Sequence, residues 1–176
     1  MEKVILVNER DEETGEMEKM EAHRKGVLHR AFSVFIFNNK SEMLLQQRAL
    51  HKYHSGGLWT NACCSHPKPA EQTEAAAKRR LQEELGFETN LEKAFEFTYK
   101  ASFENGLTEH EFDHVFTGIY DGEINFNKNE VQDICFRSMQ DIESALQTHP
   151  NKFTAWFLIA FPLIKKWRYE ATATII

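Results

Sequence analysis

A chain of 176 residues with 41% hydrophobic and 27% charged side chains has the size and make-up of one compact domain that buries about two thirds of its unfolded surface, which excludes the disordered class. A net charge of -6 argues against a nucleic-acid binder, whose affinity comes mainly from Lys and Arg neutralising phosphates, but a small anionic ligand needs only a local basic cluster. Three Cys, two of them adjacent, make no disulfide framework, and with no charged-then-apolar leader a reducing, cytoplasmic setting is expected.

In chain order, Lys3 to Val7 is a short β-rich run that predicts a strand, followed by a polar, acid-rich solvated loop from Asn8 to Gly15. His29 to Phe37 is β-branched and aromatic, Asn38-Asn39-Lys40-Ser41 reads as a turn, and Met43 to Gln47 resumes a strand. A hairpin with His29 at its entry is expected. Ser55-Gly56-Gly57 marks a bend before Leu58 to Cys64. Thr73 is a good helix N-cap, Ala75 to Leu85 carries helix formers, and Gly86 stops the helix. Ala77, Leu81 and Leu85 recur at four-residue spacing as the packed stripe, which leaves Arg80, Glu83 and Glu84 on adjoining faces.

Phe95, Phe97, Tyr99, Ala101 and Phe103 alternate with polar residues, as do Phe112, Phe116 and Tyr120 with acids, so two half-buried strands are expected. The last third predicts a strand at Asp133 to Arg137 and helices near Asp141 to Gln147 and Thr154 to Trp167, with a short tail of no assigned structure at about 168–176. The longest apolar run, Ala155 to Ile164, is about half of a bilayer span and contains Pro162, so it predicts a core helix and no membrane segment. The 14 Phe point to an aromatic core or pocket.

Chemistry concentrates in the middle. Glu109 and Glu111, two apart on a predicted strand, place their Cβ atoms about 6.5–7 Å apart on one face, from which two carboxylates can converge on one ion. Adjacent strand residues face opposite ways, so at most one of Cys63 and Cys64 faces a pocket. A Cys pair in a strand is ordinarily packing, and charges three and four apart on a helix are ordinarily surface pairs, so the residues gain meaning only jointly.

From Ser65 through Glu71, Arg79 and Glu83-Glu84 to Gly86-Phe87 the chain resembles the Nudix box, G-x5-E-x7-R-E-U-x-E-E-x-G-U, where U is a bulky aliphatic residue. Ser65 stands at the Gly position, and Arg80 stands where the box has the Glu after its Arg. A cation in place of one carboxylate of the hydrolase cluster argues against ordinary Nudix hydrolysis. Together with Arg48-Ala49-Leu50-His51-Lys52, the TN-x-x-C-x-H-P run from Thr60 to Pro67, and Glu109-His110-Glu111, the pattern resembles the type 1 isopentenyl diphosphate isomerases over roughly Val4 to Trp167.

That resemblance implies a single α/β domain, a Nudix-like mixed sheet sandwiched between helices. It implies interconversion of isopentenyl and dimethylallyl diphosphate, with His23, His29, His66, Glu109 and Glu111 holding Mn²⁺ or Zn²⁺. Spacing alone does not place His23 and His29 together. Glu84 and the main-chain carbonyl of Cys64 would hold a Mg²⁺ that meets the diphosphate. Lys19, Arg48, Lys52 and Arg80 match positions used against the diphosphate. Cys64 and Glu111 match the proton-transferring pair, Tyr99 a tyrosine that bonds Glu111, and Trp156 a tryptophan whose ring faces the cation. His51, His54, His110, His114 and His149 match no role, and Cys63 and Cys135 are left as core. The expected partner is a small diphosphate substrate, with no nucleic acid and no membrane, for a monomer or a dimer. The competing readings are a Nudix hydrolase of a nucleoside or alkyl diphosphate, and a metal-stapled binding module without turnover.

Overall fold

The computed structural model describes residues 2–52, 54–103 and 105–173. Its centre is β3 (His29–Phe37), which lies parallel to β8 (Thr108–Ile119) from His29 beside Glu111 to Phe37 beside Ile119. On its other side β3 meets β1 (Lys3–Val7), β4 (Met43–Arg48) and the short β6 (Cys63–Ser65), all antiparallel. The sheet is completed by β2 (Glu13–Glu18) on β1, β7 (Glu92–Ser102) on β8, and β5 (Trp59–Thr60) and β9 (Val131–Arg137) on β4. The helices are α1 (Lys19–Lys25), α2 (Thr73–Leu85), α3 (Met139–Thr148) and α4 (Ala155–Ala173).

A strand with apolar residues on both faces must be covered on both. On β3, Phe32, Val34 and Ile36 pack with Ala76, Ala77, Leu81 and Leu85 of α2, which is the stripe the sequence predicts. Phe35 and Phe37 pack instead with Phe157, Ala160, Phe161 and Ile164 of α4, and with Ile142 of α3. The result is the expected α/β sandwich, a mixed sheet between helices. Leu81 is fully buried, and cutting it to Ala would cost about 2–5 kcal/mol through lost burial and the cavity left behind. Gly86 ends α2 in the left-handed region at φ 75°, and a side chain there would collide with the carbonyl of Asn125.

Three expectations change, and one stretch without a predicted element gains structure. The loop predicted over Asn8 to Gly15 is shorter, because Glu13 and Gly15 already pair with Val7 and Leu6; an edge strand needs only backbone partners, so its polar side chains hid it. The stretch from Glu16 to Gly26 carries the end of β2 and α1, where Glu18 caps the amides of Met20 and Glu21 and Gly26 closes the helix at φ 61°. Gln72, not Thr73, is the N-cap of α2, and it caps without a side-chain bond. Residues 168–173 are not a tail but the continuation of α4, with Arg168 lying over the Phe37 ring at 3.8 Å. Among the described residues no helix is long and apolar enough to cross a membrane.

Candidate active site

Strand register lays the site out in rows. The parallel pairing sets Glu111 beside His29 and Asp113 beside Ala31, the β7 pairing sets Tyr99 beside Glu111 and Ala101 beside Glu109, and β6 sets Cys64 opposite Ser33. Because alternate residues share a face, Ser33, Cys64, Tyr99, Glu109, Glu111 and Asp113 stand on one side of the sheet. Cys63 points the other way, toward α2, where its thiol donates to Glu84 Oε1 at 3.4 Å. α1 delivers His23, and the turn after β6 delivers His66.

His23, His29, His66 and Glu111 each offer one ligand atom, all within 4.8 Å of one another. The ring nitrogens His23 Nδ1 and His29 Nδ1 donate to the main-chain carbonyls of Lys19 at 2.7 Å and Val27 at 2.8 Å, which turns both Nε2 lone pairs inward. His66 Nε2 faces Glu111 Oε1 at 2.9 Å and His29 Nε2 at 3.2 Å. His23 Nε2 is buried with no hydrogen-bond partner among the described residues. Burial also lowers the pKa of His23 and pushes His66 down to about 4, which keeps both rings neutral and able to ligate. An orphaned nitrogen aimed into a set of neutral imidazoles and a carboxylate fits a divalent cation of the borderline class.

Glu109 lies outside that four-residue group but adjoins it, since the Tyr99 hydroxyl approaches Glu111 Oε2 at 2.7 Å and Glu109 Oε2 at 3.1 Å. Burial, and then the Glu111 charge, raise Glu109 well above the ordinary carboxylate range. Burial would raise Glu111 too, but hydrogen bonding to His29 and His66 outweighs it and holds that carboxyl well below the range. Asp113 is pushed up to about 8 by burial and by Glu111. Burial and mutual repulsion thus push Glu109 and Asp113 up, while the two imidazoles hold Glu111 down.

The opposite end of the same pocket is ionic. Arg80 reaches Glu84 at 2.7 Å, Glu83 at 2.7 Å and Glu130 at 3.3 Å, and Lys52 also pairs with Glu130. Glu84 is buried and held from the sheet side by Gln46 Nε2 at 2.9 Å. Arg48 lies over the Trp156 ring at 5.2 Å. Nε of Arg48 and Nε of Arg80 are buried donors without a protein acceptor among the described residues, which suits an oxyanion. Lys19, Arg48, Lys52, Arg80, Cys64, Tyr99 and Trp156 all line this pocket with His66, Glu84, Glu109 and Glu111.

Comparison with known proteins places the chain in a family. The NUDIX domain model fits residues 27–157. A protein of Pectobacterium atrosepticum named isopentenyl-diphosphate Delta-isomerase is 50% identical over 161 residues, 92% of this chain and 90% of that protein. The chain belongs to the Nudix-related isopentenyl-diphosphate Delta-isomerase family. An isomerase of the same name from Aliivibrio fischeri is 46% identical over 96% of this chain and 97% of its own. Among solved structures, DR0079 of Deinococcus radiodurans superposes with a TM-score of 0.71 at 22% identity, over 84% of this chain and 90% of that one. The MutT protein of Methanosarcina mazei does so at 0.65 and 18%, over 82% and 95%. These two share the fold.

Within the isomerase family pattern, three side chains beside the site escape a reading of the sequence. His54 is buried, stacks flat on Phe103 at 5.1 Å, meets Trp156 edge-on at 5.7 Å and places Nε2 3.5 Å from Glu109 Oε1, although the motifs give it no role. Ser33 and Asp113 bond each other at 2.7 Å beneath Cys64. Only the alternation of β3 and β8, followed through their parallel register, could have found that pair. His114 turns to Asp11 at 2.9 Å and His110 to the carbonyl of Gly26 at 3.0 Å, both away from the imidazole cluster.

Proposed function

We propose that this chain interconverts isopentenyl and dimethylallyl diphosphate by moving a proton on and off an alkene. The observation that supports this most directly is the pocket itself: a thiol and a carboxylate line it together with basic side chains at one end and an aromatic wall of Tyr99 and Trp156. A hydrolase needs acids and a water, but a thiol, an indole and a displaced box carboxylate serve no obvious part in it.

In this reading the diphosphate lies against Lys19, Arg48, Lys52 and Arg80, with Arg forks suited to paired oxygens. His23, His29, His66, Glu109 and Glu111 would hold Mn²⁺ or Zn²⁺, and Glu84 with the Cys64 carbonyl would hold Mg²⁺; the positive charge these ions would supply tunes Glu111 and neutralises the diphosphate. The five-carbon chain extends between Cys64 and Glu111. One of this pair gives a proton to the terminal CH₂ carbon as the alkene electrons form the new C–H bond. The other takes a proton from C2, whose C–H electrons form the new double bond. Trp156 faces the tertiary, cation-like centre at C3, a contact of about 2 kcal/mol when desolvated. Tyr99 holds Glu111 in place.

Solvent-deuterium exchange into isopentenyl diphosphate tests this, with Cys64→Ala and Glu111→Gln beside the unaltered chain. Loss of exchange in both variants, by about 10²-fold or more, supports the assignment. Undiminished exchange in both would refute it, and release of phosphate would favour the hydrolase.

A further inference from the structure

We infer that His54 is a positioning residue for Trp156, holding the indole at a fixed tilt against the reacting centre. This rests on the isomerase reading above, in which Trp156 faces C3.

The backbone at Trp156 is pinned independently of its ring. Thr154, just ahead of α4, donates its amide to the carbonyl of Trp59 at 3.0 Å and its hydroxyl to Thr60 Oγ1 at 3.1 Å. The indole has no such anchor. Its Nε1 is buried without a hydrogen-bond partner among the described residues, so packing sets the tilt of the ring. Two neighbours supply that packing. The Arg48 guanidinium lies over the ring at 5.2 Å, and the His54 imidazole stands at 85° to it with centroids 5.7 Å apart, an edge-on contact of the kind aromatic pairs favour.

His54 is itself held in place. Its ring lies against Phe103 at 5.1 Å and within 11° of parallel, so it has a firm surface behind it. Its main-chain carbonyl accepts from Arg48 Nη2 at 3.5 Å, which ties the two neighbours of the indole to each other. The turn that carries His54 is closed onto β4: the Arg48 amide donates to the carbonyl of Leu58 at 2.9 Å, the Gly57 amide to that of Arg48 at 3.0 Å, and Gln47 Nε2 to that of Gly57 at 2.9 Å. Ser55 takes the left-handed backbone at φ 52°, and a side chain on Gly56 would come within 2.4 Å of the Leu50 carbonyl oxygen. Such a conformation persists only where its surroundings enforce it. A turn built this tightly delivers the imidazole to one place, the pocket wall beside Trp156.

Cutting His54 to a methyl group leaves a void between Phe103 and the indole, into which the indole turns. The contacts offered to the diphosphate by Lys19, Arg48, Lys52 and Arg80 remain, because the His54 carbonyl is kept. The loss therefore falls on the chemical step and not on binding.

The test compares His54→Ala with His54→Phe, which keeps a flat ring without its nitrogens. For His54→Ala, kcat should fall about 10-fold while KM for isopentenyl diphosphate stays within about twofold. His54→Phe should bring kcat back to within about threefold of the unaltered chain. In protein labelled with fluorotryptophan, fluorine NMR resolves the 3 Trp, with the Trp156 resonance assigned by its loss in Trp156→Phe. That resonance should shift in His54→Ala and return in His54→Phe, with those of Trp59 and Trp167 in place to show an intact fold. An unmoved Trp156 resonance or an unaltered kcat in His54→Ala would overturn the inference. So would a His54→Phe chain as slow as His54→Ala, which would assign the role to the nitrogens, of which Nε2 stands 3.5 Å from Glu109 Oε1. Failure of the unaltered chain to isomerise sinks the isomerase reading instead, and the fluorine resonance then still reports whether His54 sets the indole.

Discussion

At one end of the pocket two imidazoles are fixed by main-chain carbonyls and a third lies 2.9 Å from a Glu111 oxygen, whereas at the other Arg80 and Lys52 are held by a ring of carboxylates. The first end gathers imidazoles around a carboxylate, two of them fixed by backbone carbonyls, a donor set that fits a divalent cation. The second is a network of exchangeable charges in which an arriving anion can take over donors already poised, such as the spare Nε groups of Arg48 and Arg80. One end is therefore sensitive to losing any ligand, and the other to losing geometry more than charge.

The largest effect expected from that contrast comes from His66→Ala, which should cost more than about 10²-fold in Mn²⁺ or Zn²⁺ affinity and activity, since even partners behind a ligand are worth 10–100-fold. Titration of the metal-stripped chain followed by elemental analysis checks it, and retention of the ion would detach His66 from the cluster. Glu84→Gln, at the ionic end, should leave that ion in place and raise only the Mg²⁺ concentration needed for half activity.

Next in size, Tyr99→Phe removes the hydroxyl shared by Glu109 and Glu111 and should lower kcat by about 10-fold, with substrate affinity preserved. Steady-state kinetics separates the two. Arg80→Lys keeps charge but loses the fork that reaches Glu83, Glu84 and Glu130, so KM should rise about 10-fold while kcat stays within about twofold.

The smallest effect lies beside the pocket. Arg79 grips Glu71 through two bonds at 2.7 and 2.9 Å, and this pairing lowers the Glu71 pKa below 4.5. Glu71→Gln should lower the melting temperature by about 2–4 °C at pH 7, equivalent to about 1 kcal/mol. Because the folded-state pKa is depressed, that stability is complete above the unfolded value of 4.5 and is lost as pH falls through the folded one. Melting curves of the two chains should therefore converge in acid.

Much of this was open to a reader of the sequence, and the reasons are specific. The stripe Ala77-Leu81-Leu85 and the alternation through Tyr99 and Glu111 are periodic, so α2, β7 and β8 announce themselves, and the motif run around Cys64 picks out its own neighbours. α1 is seven residues long and mostly polar; its signals were the acid at Glu18 and the glycine at Gly26, which only its fold makes legible. β2 is recognised by backbone pairing alone. His54 reaches Glu109 through a loop, and Ser33 meets Asp113 across strands eighty positions apart. No local pattern encodes such meetings, because the parallel register of β3 and β8 creates them.

That register has a bearing on how the molecule matures. Parallel pairing of segments so distant is slow to form, and a slip of a single position would swing Glu111 to the opposite surface and bring His110 or Phe112 level with His29. If, as proposed, a divalent ion is held by imidazoles from α1, β3 and the β6 turn at once, it would favour the register that brings the three together, and newly made chains in metal-poor surroundings would lack that proofreader.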